Sequence, residues 1–272
     1  MTGVEPRPAW PSIAELRAVT QPPAVRGRRT AEHWTGDLYM RQISPYLTRV
    51  LLRAGLSANA VTGLMIVTGA ASGFALLVPG LGGALLAVLL TQLQMLWDAS
   101  DGEVARWRRT SSPLGVFLDK VGHYLAESLL PLGLGVRAAG GLGELGDGYG
   151  WTTLGGVLAV VILLNKALND MVHVARAQAG LARVGDDEAT SAPRASGLAR
   201  LRRLARFVPF HRLYHSIELS LLVLLAALVD LVAGDLVGTH VLLVALVPAS
   251  LAAVAGHFLA IVTSSRLRAP TT

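Results

Sequence analysis

The sequence predicts an all-α polytopic membrane protein: six transmembrane helices behind an N-terminal cytoplasmic amphipathic helix. Three observations predict it. Of the 272 residues, 52% are hydrophobic and 15% charged, with a mean hydropathy of +0.51, whereas about a quarter of a soluble domain is charged. Six apolar stretches approach the length a bilayer demands, about 20 residues. Arginine is confined to alternate connections between them, as the positive-inside rule requires.

Residues 1–30 are rich in proline and arginine and show no period. They read as a flexible cytoplasmic tail, disordered or attached to a surface. No short apolar run of the secretory type opens the chain, so insertion falls to the internal segments. Residues 31–56 turn amphipathic: Leu38, Ile43, Leu47, Val50 and Leu51 can share one face while Arg41, Arg49 and Arg53 stay polar. Such a helix can lie on a membrane with its arginines near anionic headgroups, or it is a plain linker helix. Pro45 is expected to kink it.

Residues 57–265 hold the six apolar segments, and residues 266–272 form a second cytoplasmic tail. The segments run approximately Ala58 to Val78, Leu81 to Trp97, Leu114 to Val136, Trp151 to Leu168, Ile217 to Val232 and His240 to Val262. The fifth is the shortest and the least secure by length. Connections after the first, third and fifth are short, with turn signals at Gly82 and Gly83, between Gly140 and Gly150, and at Gly234. They carry Glu144, Asp147 and Asp235, with Arg137 at one edge. The arginines collect elsewhere: Arg7 to Arg53 before the first segment, Arg106, Arg108 and Arg109 after the second, Arg176 to Arg212 after the fourth, and Arg266 and Arg268 at the end. Both termini are therefore expected in the cytoplasm, with the plasma membrane as the bilayer if the protein is prokaryotic.

The net charge is +6, and Lys120 and Lys166 are the only lysines. Excess arginine suits nucleic acid, anionic lipid or phosphorylated substrates; the apolar composition argues against nucleic acid. There is no cysteine, so disulfides and thiolate chemistry are excluded.

The chemistry concentrates where the second segment meets the cytoplasm. Residues three and four apart share a helix face, and Asp98, Asp101, Gly102 and Ala105 form such a stripe. The third segment starts at Ser112-Pro113, a favourable helix start, and places Gly115, Asp119 and His123 on one face. A short loop makes the two helices antiparallel neighbours, so the stripes can face each other. Three aspartates converging there would repel one another without a cation, and hard divalent ions take such oxygen ligands together with phosphate oxygens. The plainer reading makes these acids salt-bridge partners of Arg106, Arg108, Arg109 and Lys120 at headgroup level; ionisable groups in membrane segments are costly and usually functional.

The run Asp98-x2-Asp101-Gly102-x2-Ala105-Arg106-x8-Gly115-x3-Asp119-x3-His123 resembles the signature of the CDP-alcohol phosphotransferases, also called CDP-alcohol phosphatidyltransferases. Seven of its eight positions and every spacing agree. LSANAVT, Leu56 to Thr62, looks like the family's approach to the first span, with Ala58 where proline is usual. The resemblance implies six spans preceded by a juxtamembrane helix. It implies a membrane transferase, of phospholipid biosynthesis, moving a substituted phosphoryl group from a CDP-linked donor to an alcohol acceptor and releasing CMP. By the same resemblance Asp98, Asp101 and Asp119 bind a divalent metal, Mg2+ or Mn2+. Gly102, Ala105 and Gly115 admit the nucleotide and Arg106 positions it. The partners implied are donor, acceptor and membrane lipids, with a homodimer by analogy.

His123 stands where the family has a fourth aspartate. Imidazole, with an ordinary pKa near 6.5, can take the acceptor's proton. It is a poorer ligand than carboxylate for magnesium and an acceptable one for manganese, so the departure questions a second metal more than the base. An inactive homologue, or a core histidine bonded to Glu127, is the bland alternative.

Lys166, Asn169, Asp170, His173 and Arg176 recur at helical spacing at the end of the fourth segment. Lys166, Asn169, His173 and Arg176 are candidates for recognising a phosphorylated or polyhydroxyl acceptor, or they mark where the helix leaves the membrane. His211, Arg212, His215 and Glu218 have spacing compatible with a metal site or with headgroup contacts. His257 reads as a helix–helix hydrogen bond, and the Arg200-to-Arg206 run as a contact to anionic lipid. A cation-dependent transporter and a catalytically inactive membrane scaffold are the competing functions; the chain shows neither an internal repeat nor acids spread through the bilayer depth, as a transporter would.

Overall fold

The computed structural model describes residues 7–22, 36–182, 215–264 and 267. Among these, the regular structure is helical. The chain divides into two compact units, one drawn from residues 1–71 and 89–126, the other from 72–88 and 127–272.

The first unit opens with α1, Ile13–Thr20. The segment read as a tail, disordered or attached to a surface, contains this helix. Its start is a reciprocal cap: the Glu15 amide donates to Ser12 Oγ at 3.2 Å and the Ser12 amide to Glu15 Oε2 at 2.8 Å. These bonds hold the Glu15 carboxyl below its ordinary pKa. Residues 1–6 and 23–35, which cover the rest of that tail and the first part of the amphipathic segment, lie outside the described residues.

A π-helical turn, Gly36–Met40, leads into α2, Arg41–Arg53. The helix runs on through Pro45. Proline cannot donate to the carbonyl four residues back, and that carbonyl, of Arg41, instead accepts from Gln21 Nε2 at 2.8 Å. The buried face of α2 is partly polar. Ser44, Pro45, Thr48, Leu51 and Leu52 are buried, whereas Leu38, Ile43 and Val50 are 60%, 47% and 54% exposed. The reason is the carboxylate beneath the helix, Glu103, which draws the hydroxyls of Ser44 and Thr48 inward. Leu16, Leu51, Leu52, Val61, Val104 and Trp107 make the apolar core of this unit.

Four long helices continue the chain: α3 Ala58–Ala75, α4 Gly80–Arg108, α5 Pro113–Ala138 and α6 Tyr149–Gln178. After the undescribed residues 183–214 follow α7, Ser216–Ala233, and α8, Val237–Thr263. Five of these are long and apolar enough to cross a membrane: α3, α4, α6, α7 and α8. The short fifth segment is among them. The sequence led us to expect six; α5 is of spanning length but carries Asp119, Lys120, Glu127 and Arg137 among its 26 residues. The helix α4 ends with Arg109 in the left-handed region at φ 57°, and the Thr110 amide caps the carbonyl of Ala105 at 3.0 Å.

Small residues let these helices approach. A Cβ on Gly69 would stand 3.0 Å from that of Ala126, and one on Gly122 would strike Met65 Cε, so α3 and α5 are in close contact in the first unit. In the second unit Gly135 and Gly155 bring α5 and α6 together, and α8 packs on α6 and α7. Arg137, buried, donates to the Gly80 carbonyl at 2.7 Å and pairs with Asp230 at 3.4 Å. Asp230 accepts from the Thr239 amide at 2.9 Å. The His257 imidazole reaches Asn165 Oδ1 at 2.8 Å, the helix–helix hydrogen bond expected of it.

Candidate active site

The polar residues of α4 and α5 meet in the first unit. His123 Nε2 is 3.1 Å from Asp98 Oδ1 and 3.5 Å from Asp119 Oδ1. Ligand atoms of Asp98, Asp119 and His123 all lie within 4.8 Å of one another, and the three residues are half-buried. Local structure explains the convergence. Asp119 and His123 are one turn apart on α5, and Gly122 between them lets this turn press against α3. Asp98 sits where the apolar part of α4 gives way to polar residues.

Asp101 stands outside that set of three. Its Oδ2 accepts from Thr62 Oγ1 at 2.6 Å, and its carboxyl interacts electrostatically with those of Asp98 and Asp119. Three acids so placed repel one another, and a cation between them removes the repulsion. The donor set fits a divalent ion: carboxylate oxygens suit magnesium, and adding an imidazole nitrogen is acceptable to manganese.

The remaining motif residues lie on the same two helices. Gly102 lies under Arg106: a Cβ there would stand 3.0 Å from the Arg106 Nη1 and 3.3 Å from its Nη2. The small residue thus accommodates the guanidinium of its own helix. Arg106 Nε donates to the Thr20 carbonyl at 2.7 Å. Ala105 is half-buried on the same helix. Gly115 is capped by Ser112, its amide donating to Oγ at 3.1 Å, and a Cβ on it would meet Asn59 Oδ1 at 3.3 Å.

Thr62, Asn59 and Glu103 escaped the sequence reading. Thr62 and Asn59 lie in LSANAVT, which signalled only an approach to a helix; a hydroxyl and an amide one turn apart were the available clue. Glu103 occupies a variable position inside the motif and is fully buried.

The expected acceptor residues lie on α6 in the second unit. Lys166 Nζ pairs with Glu127 Oε1 at 2.8 Å, and His215 Nδ1 lies 3.5 Å from the same oxygen. Asn169 is exposed and His173 half-buried. Arg176 Nε donates to the Ala182 carbonyl at 2.8 Å, closing the helix end. His211 and Arg212 lie outside the described residues, as does the Arg200-to-Arg206 run.

Comparison with known proteins agrees with the resemblance seen in the sequence. The family model CDP-alcohol phosphatidyltransferase matches residues 56–181. No curated protein matches the chain. The matched segment contains Asn59, Thr62 and every residue of the acidic cluster, and it is over this segment that the chain is similar to the CDP-alcohol phosphatidyltransferases, a family of transferases.

Proposed function

We propose that the chain is an integral-membrane, metal-dependent CDP-alcohol phosphotransferase. It moves a phosphatidyl or phospho-alcohol group from a CDP-linked donor to an alcohol acceptor, releases CMP, and serves phospholipid biosynthesis. The observation that carries this is the convergence of Asp98, Asp119 and His123 inside the family segment. In this reading α5 is the sixth span, since its 26 residues rise about 39 Å against a hydrocarbon core of about 30 Å. The arginine pattern puts both termini and the site in the cytoplasm.

When bound, a divalent cation supplies charge neutralisation at the donor pyrophosphate and the departing CMP. Asp98, Asp101 and Asp119 would hold it, with Thr62 fixing the carboxylate of Asp101. Gly102, Ala105 and Gly115 leave room for the nucleotide and Arg106 orients it. The acceptor oxygen attacks the phosphorus, the bond from phosphorus to the CMP oxygen breaks, and His123 takes the acceptor's proton. Lys166, Asn169, His173 and Arg176 recognise the acceptor's polar groups. A second reading gives His123 Nε2 a place as metal ligand, because it lies within the set of converging ligand atoms.

The test is a screen of purified protein in lipid nanodiscs, pairing CDP-linked donors with alcohol acceptors and reading CMP. The proposal expects CMP release that needs both substrates. No release from any pair by folded protein, together with cation flux into proteoliposomes, would support the transporter instead.

A further inference from the structure

Glu103 is a wholly buried carboxylate one residue beyond Gly102. Burying a charge is costly unless hydrogen bonds replace its water. Here Oε1 accepts from Ser44 Oγ at 2.6 Å and Gln21 Nε2 at 2.8 Å, and Oε2 from Thr48 Oγ1 at 2.7 Å. The donors come from three places: the segment after α1, and two successive turns of α2. Gln21 Nε2 is also the group that satisfies the Arg41 carbonyl freed by Pro45. Its two N–H bonds thus tie the segment to α2 and α4 at once.

Further links run along the same end of α4. Arg7 Nη1 donates to the carbonyls of Arg106 and Trp107 at 3.1 and 2.9 Å, and Trp107 Nε1 donates to the Pro8 carbonyl at 3.0 Å. Residues 7–21 form a strap over that end of the helix. One residue before the knot at Gln21, the Thr20 carbonyl takes the Arg106 Nε, and the guanidinium lies over Gly102.

We infer that Glu103 is a positioning residue for the donor subsite. It locks the strap, and the strap's Thr20 carbonyl sets the Arg106 guanidinium over Gly102. The Arg106 role rests on the proposed function; the lock itself does not. A carboxylate satisfied by three neutral donors selects one arrangement of strap, α2 and α4, because any other leaves it buried and unpaired.

The full-length protein is tested in two ways. Chemical modification of Arg106 by phenylglyoxal, read by peptide mass spectrometry, needs no nucleotide. Glu103→Gln should raise its rate about fivefold, and Gln21→Ala, which leaves Glu103 with both hydroxyl donors, about threefold, as charged hydrogen bonds are lost. The second readout is the Kd for CDP in the presence of Mn2+. Glu103→Gln should weaken it about tenfold, and by less than twofold when Arg106 is already alanine, since residues acting through one another are non-additive. Unchanged Arg106 reactivity in both variants overturns the lock. Equal loss of CDP affinity with and without Arg106 overturns the action through Arg106. Absence of CDP binding by the wild type, with reactivity raised in the variants, overturns the donor-subsite assignment while the lock stands.

Discussion

His123 is the residue on which this chain departs from the family motif, and its geometry sharpens what a substitution should do. Its Nε2 faces Asp98 at 3.1 Å and Asp119 at 3.5 Å. If it is the base, His123→Ala loses about a hundredfold to ten-thousandfold in turnover while Mn2+-dependent CDP binding survives. His123→Asp recovers part of the rate and stays active to lower pH, since a base works unprotonated and carboxylate holds no proton where imidazole begins to. If it is a ligand, CDP and Mn2+ affinity fall together in His123→Ala. Steady-state kinetics across pH with a Mn2+ titration distinguish the two, and wild-type turnover with an unchanged pH profile in His123→Ala would remove both roles. At this scale the motif spacing was enough to bring Asp98, Asp119 and His123 to one place, because helix periodicity fixes which residues share a face. The spacing could not show that Thr62 engages Asp101, since that contact joins residues 39 apart in the chain.

Among the elements, α5 carries both chemistry and packing. Gly122 lies between Asp119 and His123, and any side chain there meets Met65 and Ile66 of α3. Overpacking of this kind typically costs about 1–3 kcal/mol. Gly122→Leu should therefore lower the melting temperature in detergent and reduce turnover, and Gly122→Ala should do less, because the blocking Met65 Cε ends a flexible side chain. An unaltered melting temperature in Gly122→Leu would show that α3 and α5 do not meet there. Helix existence was legible from apolar length, down to the short α7. Three local features were not read. The Ser12-x2-Glu15 capping box was visible in the sequence and announces α1. The inward face of α2 could not be read from its leucines, because a buried carboxylate from another helix outbids apolar periodicity for Ser44 and Thr48. Nor could the sequence show what satisfies the Arg41 carbonyl that Pro45 leaves without an amide donor, since that group comes from Gln21.

Arginine alternation predicts six spans, while length and apolar composition mark five helices among the described residues. The difference is α5, whose charges are the price of placing Asp119 and a second unit's Glu127 and Arg137 on one helix. With six spans, tags at both termini and within residues 183–203 are reached by cytoplasmic reagents, and a tag near Gly146 only from outside. Cytoplasmic labelling near Gly146 would break the six-span arrangement.

The central claim is that acids on α4 and α5 hold a cation for transfer from a CDP-linked donor. Its most direct measurement is CMP release by the purified protein in nanodiscs, with chelator, with chelator followed by Mg2+ or Mn2+, and for Asp98→Asn. Metal charge stabilisation is worth several kcal/mol, so about a hundredfold or more in rate. The account predicts that chelation abolishes CMP release, that added metal restores it, and that Asp98→Asn stays folded and nearly inactive in either metal. Wild-type turnover in excess chelator, or an Asp98→Asn protein as fast as the wild type, would contradict it.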